Sequence, residues 1–167
     1  MRSLPNFVLL ALLATATPAL AITGAGGNAP PPTAAGADDY AAGLAAFEQQ
    51  DWQGVIDHMA RVTEERPWED EAYNRMGFAY RKLGDYGRAL EFYDKALRLN
   101  PHNRGALEYL GEAYLEMDRL RDAQAMLDRL DEECQRLAAG SSEDQQPDCQ
   151  EREDLEEAIA VYRAAKP

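Results

Sequence analysis

The chain has 167 residues and carries 30 acidic against 17 basic side chains, which gives a formal net charge of −13 at pH 7. Nucleic acids and anionic membranes are bound through basic patches, so this composition argues against both as partners. The acidic surface either serves solubility or attracts a basic protein or cationic peptide.

Residues 1–21 have the pattern of a secretory signal peptide. Arg2 provides a charged start, residues 7–13 are apolar, and the Ala-Leu-Ala sequence at 19–21 has the small residues of a cleavage site. The apolar run is too short for a comfortable membrane span. We therefore predict cleavage after Ala21 and export to a bacterial periplasm, without stable membrane insertion. An uncleaved anchor is the alternative.

Residues 22–35 are rich in Gly, Ala and Pro, with three consecutive prolines at 30–32. This segment has no hydrophobic periodicity and too little apolar surface to fold alone. We predict a flexible tether.

A 34-residue period follows, most clearly in the glycines Gly43, Gly77 and Gly111. Such a period is typical of a solenoid, in which one helical unit stacks on copies of itself. Glycine inside a helix costs about 1 kcal/mol relative to alanine, so its recurrence indicates that two helices cross closely there. Three further sets of residues keep the same step: Trp52, Tyr86 and Leu120; Val55, Ala89 and Ala123; Pro67 and Pro101.

Large side chains are expected to fill the space beside these glycines. Tyr80 and Tyr93 have this place in the second copy, and Tyr114 and Leu127 in the third. The Gly-Asp pair at 84–85 is typical of a turn between two helices. The prolines are expected to end the second helix of a copy, because proline cannot continue a helix.

The second copy reads Tyr-x-x-Met-Gly-x-x-Tyr from residue 73, Ala-x-x-x-Tyr from residue 89 and Pro101. This pattern resembles the tetratricopeptide repeat. The resemblance covers residues 36–137 and implies an all-α fold, a right-handed α-α superhelical solenoid. Its three helix pairs would occupy residues 36–69, 70–103 and 104–137.

Residues 138–167 are predicted to form a loop and a capping helix. The third copy has Gln135 in place of the closing proline, so its second helix is expected to run to about residue 137. Asp148, with Glu151 three residues later, resembles a capping box. A helix that follows would cover the apolar face of the last repeat. Its apolar residues at helical spacing are Leu155, Ala158, Ile159 and Tyr162.

Two cysteines, Cys134 and Cys149, are the only ones in the chain. In an exported protein such a pair indicates a disulfide, which over a loop of this length is worth roughly 3 kcal/mol. There is no Cys-x-x-Cys redox motif. A metal site would need further ligands, and His58 and His102 lie in other repeats, so we predict neither a metal nor a cofactor.

No catalytic motif is present: the sequence lacks Gly-x-Ser-x-Gly, His-Glu-x-x-His and a phosphate-binding Gly-rich loop. We predict that the protein is not an enzyme.

In tetratricopeptide repeat proteins the first helix of each pair lines a concave groove, and the resemblance implies that this face binds a protein or peptide here. The residues on that face, beside Glu71 and Glu116, are Tyr40, Leu44, Phe47, Glu48, Asn74, Phe78, Arg81, Lys82, Glu108, Glu112 and Leu115.

Two expectations concern this face in detail. Glu48, Lys82 and Glu116 recur at the repeat period and alternate in charge, so we expect mutual ion pairs between repeats. Phe78 and Arg81 are favoured as exposed binding residues, because aromatic and arginine side chains often dominate interface energies.

The resemblance does not extend to the carboxylate clamp of cytosolic chaperone adaptors. At the positions where that subfamily carries its Lys, Asn and Arg, this chain has Tyr40, Leu44, Arg75, Gly105 and Tyr109. A partner held in that manner by its C-terminal carboxylate is not expected.

These features favour a non-catalytic periplasmic adaptor that binds a peptide segment or a protein surface. The alternative is an accessory or maturation factor that docks a folded periplasmic enzyme or cytochrome system through its acidic surface. A self-associating structural unit is a third hypothesis, since the oligomeric state does not follow from the sequence.

Overall fold

The computed structural model describes residues 34–140 and 148–166. The predicted signal peptide, its cleavage site and most of the predicted tether lie outside these residues. The described part contains no strand and seven helices: α1 (Ala34–Glu48), α2 (Trp52–Glu65), α3 (Asp70–Lys82), α4 (Tyr86–Leu99), α5 (Arg104–Glu116), α6 (Leu120–Ala139) and α7 (Gln150–Ala165).

The helices form three pairs followed by α7, which confirms the predicted all-α repeat solenoid. Helix α1 begins two residues inside the predicted tether, and α6 ends two residues beyond the predicted boundary at 137. Within the described residues, no helix is both long enough and apolar enough to cross a bilayer.

The same tight turn joins the two helices of every pair. Gln50, Gly84 and Asp118, which recur at the repeat period, all have a positive φ, of 57°, 78° and 61°. Only Gly84 adopts this left-handed conformation without a side-chain penalty. The next residue donates its N–H to a carbonyl five residues earlier, which closes the helix end as in a Schellman motif. These bonds are Asp51 to Ala46 (2.9 Å), Asp85 to Tyr80 (2.9 Å) and Arg119 to Tyr114 (2.8 Å).

Aspartates begin the second helix in the first two pairs. The carboxylates of Asp51 and Asp85 accept from the backbone N–H three residues later, at 3.0 Å in both cases. The third pair has Arg119 at this position, without a side-chain cap. An aspartate cap typically stabilises a helix by about 1 kcal/mol.

The predicted capping box of α7 is wrong in detail. Cys149, not Asp148, is the N-cap residue, and no side chain caps the helix there. The carboxylate of Asp148 instead accepts from the backbone N–H of Gln150 at 3.1 Å. Because α7 begins one residue later than the motif requires, the reciprocal bond from Glu151 does not form.

The three glycines that recur at the repeat period lie where two helices cross closely, as predicted. A Cβ atom on Gly43 would lie 2.6 Å from the Met59 side chain, and one on Gly77 would lie 2.7 Å from the Tyr93 ring. At Gly111 the nearest atoms belong to Leu155 of α7, at 2.6 Å, and not to the predicted Tyr114 or Leu127. Helix α7 packs on both α5 and α6, so its side chains enter the core of the last repeat.

The predicted cysteine pairing is present. Cys134 of α6 and Cys149 lie at disulfide-bonding distance, with their Cα atoms 6.0 Å apart. Arg152 of α7 also binds Asp131 of α6, at 2.6 Å between Nε and Oδ1. The start of α7 is therefore held to α6 by a covalent link and an ion pair.

We predict that Gly77→Ala destabilises the protein by about 1–3 kcal/mol, because the new Cβ would overlap the enclosed ring of Tyr93. Gly87→Ala is the matched control: its Cβ would meet only the Asp85 carboxylate, at 3.7 Å. In that exposed helical position alanine should stabilise by about 0.5–1 kcal/mol. Urea unfolding followed by circular dichroism measures both. Equal effects of the two substitutions would contradict the crossing argument.

Candidate functional site

Two clefts on the face formed by the first helices of the pairs contain most of the predicted binding residues, and a third, of about 410 Å³, shares Glu108 with the second. We call the first the aromatic cleft; its volume is about 570 Å³, and it is lined by Phe47, Glu48, Gln50, Trp52, Phe78 and Lys82. The second, the acidic cleft, lies between α3, α5 and α7 and has a volume of about 690 Å³. Helices α3 and α5 supply Arg81, Lys82, Glu108, Glu112, Leu115 and Glu116, and α7 supplies Asp154, Glu157, Ala158, Val161 and Tyr162.

Helix α7 forms one wall of the acidic cleft, which the sequence did not predict. The sequence pattern predicts only that this helix covers the last repeat. Leu155 and Ile159 do cover the last repeat and are buried. Val161 lies off the predicted apolar stripe, is 62% exposed and lines the cleft. An apolar residue outside the stripe was the available signal for a second role of α7.

An aromatic cluster crosses all three repeats. The ring centroids of Phe47 and Phe78 are 4.8 Å apart, those of Phe78 and Tyr109 are 4.7 Å apart, and Trp52 lies 5.6 Å from Phe78. The contacting rings of neighbouring first helices, Phe47 with Phe78 and Phe78 with Tyr109, are separated in sequence by about one helical turn less than the repeat period. Phe78 is therefore half-buried within a cluster, and the prediction of an exposed aromatic is wrong.

Arg81 is an internal residue, not an exposed one as predicted. It is only 4% exposed. Its guanidinium contacts the carboxylates of Glu112 at 2.6 Å and Glu116 at 3.1 Å, and lies 5.0 Å from the centre of the Phe78 ring. A buried cation held by two carboxylates and an aromatic face ties α3 to α5, and a partner cannot reach it freely.

The predicted row of ion pairs does not form. Across residues 34–140 and 148–166, no ion pair joins Lys82 to Glu48 or to Glu116. Glu116 binds Arg81, and the Lys82 ammonium lies 5.0 Å from the centre of the Phe78 ring.

Three other predicted residues lie away from both clefts. Asn74 is buried, and its Nδ2 donates to Glu71 at 3.1 Å. Tyr40 is half-buried, with the Arg66 guanidinium 5.6 Å from its ring centre. Leu44 packs against the core. Tyr40 and Leu44 support the concave face from within, whereas Asn74 lines the third cleft, between α3 and α5.

Glu108 is the unusual group of the acidic cleft. The residue is only 8% exposed, yet its side chain lines the cleft and has no hydrogen-bond or ion-pair partner among the described residues. Burial, reinforced by Glu112, Asp154 and Glu151, raises its pKa to about 8, and Arg81 offsets this only in part. The carboxylate is thus held partly protonated near neutral pH.

The two histidines each contact a carboxylate. His58 Nδ1 lies 2.9 Å from Asp39, and His102 Nδ1 lies 2.6 Å from Glu133. In the part of the chain that the structure describes, no group of three or more His, Cys, Asp or Glu side chains could hold a metal ion.

We predict that Glu108→Gln raises the free energy of unfolding by about 1–2 kcal/mol at pH 8. This gain is smaller than the full pKa shift of Glu108 would give, because the carboxylate opens into a cleft and is partly screened by solvent. A folded pKa of about 8 against an ordinary 4.5 means that the folded state binds the proton more tightly. The destabilisation by Glu108 therefore grows as the pH rises between these values.

Urea unfolding at pH 5 and pH 8 measures this difference. Glu91→Gln, an exposed position of α4, removes the same charge and is the control. The gain from Glu108→Gln should be larger at pH 8 than at pH 5, whereas Glu91→Gln should have little effect at either. A gain that does not change with pH would contradict the buried-carboxylate account.

Comparison with known proteins agrees with this fold. Residues 70–103 match the family model for the tetratricopeptide repeat. A curated protein of Pyropia yezoensis, uncharacterized protein ycf37, is 36% identical over 58 residues, which make up 35% of this chain. The chain spans about a third of the length of that relative, 33%.

Three solved structures have a similar fold at low identity. The TPR2B domain of yeast Sti1, in its pHsp70 complex, has a TM-score of 0.65 and 18% identity, covering 77% of this chain and 98% of that one. MamA has a TM-score of 0.59 and 24% identity, covering 62% and 61%. The Sgt2 TPR domain from Aspergillus fumigatus has a TM-score of 0.62 and 17% identity, covering 80% of both chains.

Proposed function

Because this chain is a tetratricopeptide repeat protein, we propose that it is a non-catalytic adaptor that binds a peptide segment or a surface of another protein in the acidic cleft. The observation that carries this proposal is the make-up of the cleft. Apolar side chains of Leu115, Ala158 and Val161 lie beside charged groups in a single concavity of about 690 Å³. Mixed walls of this kind suit a ligand with apolar and polar parts.

A protein ligand also accords with one structural relative. The yeast Sti1 domain with this fold was solved in a complex with pHsp70. The cleft proposed to hold the partner of this chain is lined by five carboxylates and two cationic side chains.

The best positions to probe the cleft are exposed ones, since Arg81 is buried and Phe78 is half-buried among other rings, so that replacing either would disturb the packing. Val161 projects from the cleft wall and is 62% exposed. Leu99, at the end of α4, is an apolar residue that is 42% exposed and lines neither cleft. The two positions form a matched pair for crosslinking.

We predict that p-benzoylphenylalanine in place of Val161 crosslinks the full-length protein to a discrete partner in living cells, and that the same group at Leu99 does not. Adducts are identified by mass spectrometry after irradiation. Equal adducts from both positions, or adducts from Leu99 alone, would contradict the cleft as the binding face. Adducts from Leu99 alone would favour docking of a folded partner through another surface.

We further propose that the adaptor works in the periplasm. The signal-peptide pattern of residues 1–21 supports export, and the pair Cys134 and Cys149 suits an oxidising compartment. A disulfide there stabilises the attachment of α7, and with it one wall of the cleft.

We predict that the protein isolated from the periplasmic fraction begins at Ile22 and that neither cysteine reacts with a thiol-alkylating reagent until a reductant is added. N-terminal sequencing and intact-mass measurement test both points. Protein recovered from the cytoplasm with its N-terminal segment intact and two reactive thiols would overturn the export proposal.

A further inference from the structure

The acidic cleft has more negative charge than its own cations balance. Arg81 already binds Glu112 and Glu116. The remaining carboxylates of the cleft are Glu108, Asp154 and Glu157, and the remaining cation is Lys82, which lies on the rim beside the Phe78 ring. The inner part of the cleft thus has an excess of carboxylate.

Packing gives no reason for a carboxylate at position 108. The equivalent positions of the other two repeats, one and two repeat periods earlier, are the neutral Asn74 and Tyr40. Asn74 is as buried as Glu108 and donates to Glu71. A carboxylate that is only 8% exposed and has no hydrogen-bond donor among the described residues is costly, since only the solvent of the cleft compensates its charge. A neutral residue would satisfy the fold at less cost.

On the basis of the function proposed above, we propose that the acidic cleft recognises a lysine or arginine side chain of the partner protein and that Glu108 is the carboxylate that accepts its cationic group. Asp154 and Glu157 of α7 add negative charge on the facing wall. Asp154 uses one oxygen to accept from Gln150 at 2.7 Å. Long basic side chains also carry an apolar stem, which Leu115 and Val161 can cover.

Ionisation of Glu108 couples this recognition to pH. The charged groups that act on it most strongly are Glu112 on its own helix, Asp154 and Glu151 on α7, and Arg81 on α3. The adjoining cleft that Glu108 also lines adds Asp70, Glu71 and Arg75 of α3 and Arg104 of α5. Its pKa of about 8 means that the free protein retains the proton near neutral pH. A cation seated beside the carboxylate favours the ionised form, so binding releases a proton. Affinity for a basic side chain should therefore rise with pH, by up to about tenfold per pH unit below the pKa.

The test uses the full chain and four libraries of acetylated, amidated nonapeptides whose central residue is fixed as Lys, Arg, Gln or Glu, with the flanking residues randomised. Retention of each library is measured by mass spectrometry at pH 6.5 and 8.5. The Lys and Arg libraries should be retained about tenfold more than the Gln and Glu libraries, as expected for a charged hydrogen bond. The preference should increase at the higher pH.

Three variants test whether the preference for basic residues depends on Glu108 and whether peptide retention depends on the cleft. Glu108→Gln, which keeps the shape of the side chain, should lose the preference and its pH dependence while still retaining peptides. Glu91→Gln, on the exposed surface of α4, should behave as the wild type. Val161→Trp places a bulky group at an exposed site on the cleft wall and should abolish retention.

The outcomes separate the two proposals. Retention that Val161→Trp abolishes, but without a preference for basic residues or with a preference that persists in Glu108→Gln, would overturn the role of Glu108 and leave the cleft as the binding face. No retention of any library, or retention that Val161→Trp leaves unchanged, would overturn the cleft itself and the inference that rests on it.

Discussion

The contact between Leu155 and Gly111 determines where the last helix lies, and the acidic cleft depends on it. Because Gly111 has no side chain, Leu155 approaches the backbone of α5 more closely than any Cβ would permit. Helix α7 then packs across α5, and residues on either side of this contact, Asp154 and Val161, face the cleft. The disulfide at its start keeps α7 in this position. The cap is thus part of the proposed binding face.

Some side chains of the concave face stabilise the fold, and others are available for binding. Arg81 and Phe78 have the chemistry of interface residues, but both are engaged within the protein, one by two carboxylates and the other by neighbouring rings. Glu108 has the reverse character: it is buried, and no group among the described residues pairs with it. An internal cation that two carboxylates hold, and a buried acid that no described group pairs with, leave a cleft that favours a cationic ligand.

The repeat period predicted the fold well, because residues one period apart have the same local role in the turn or in the helix crossing of their own repeat. Positive φ at Gln50, Gly84 and Asp118, and the small, buried Ala89 and Ala123, recur at this step. The period could not predict contacts between repeats. Those depend on how side chains of neighbouring helices pack against one another. The ring contacts fall about one helical turn short of the period, and Glu116 binds Arg81 instead of Lys82.

The amino-acid sequence by itself determined the helix pairs, their turns, the close crossings at the glycines and the pairing of Cys134 with Cys149, because these rest on backbone preferences and short-range spacing. Only the tertiary structure decided which polar groups are internal. The burial of Arg81, the isolation of Glu108 and the contribution of Val161 all depend on how α3, α5 and α7 approach one another. That approach brings together side chains that are distant in the sequence, and no local pattern records it.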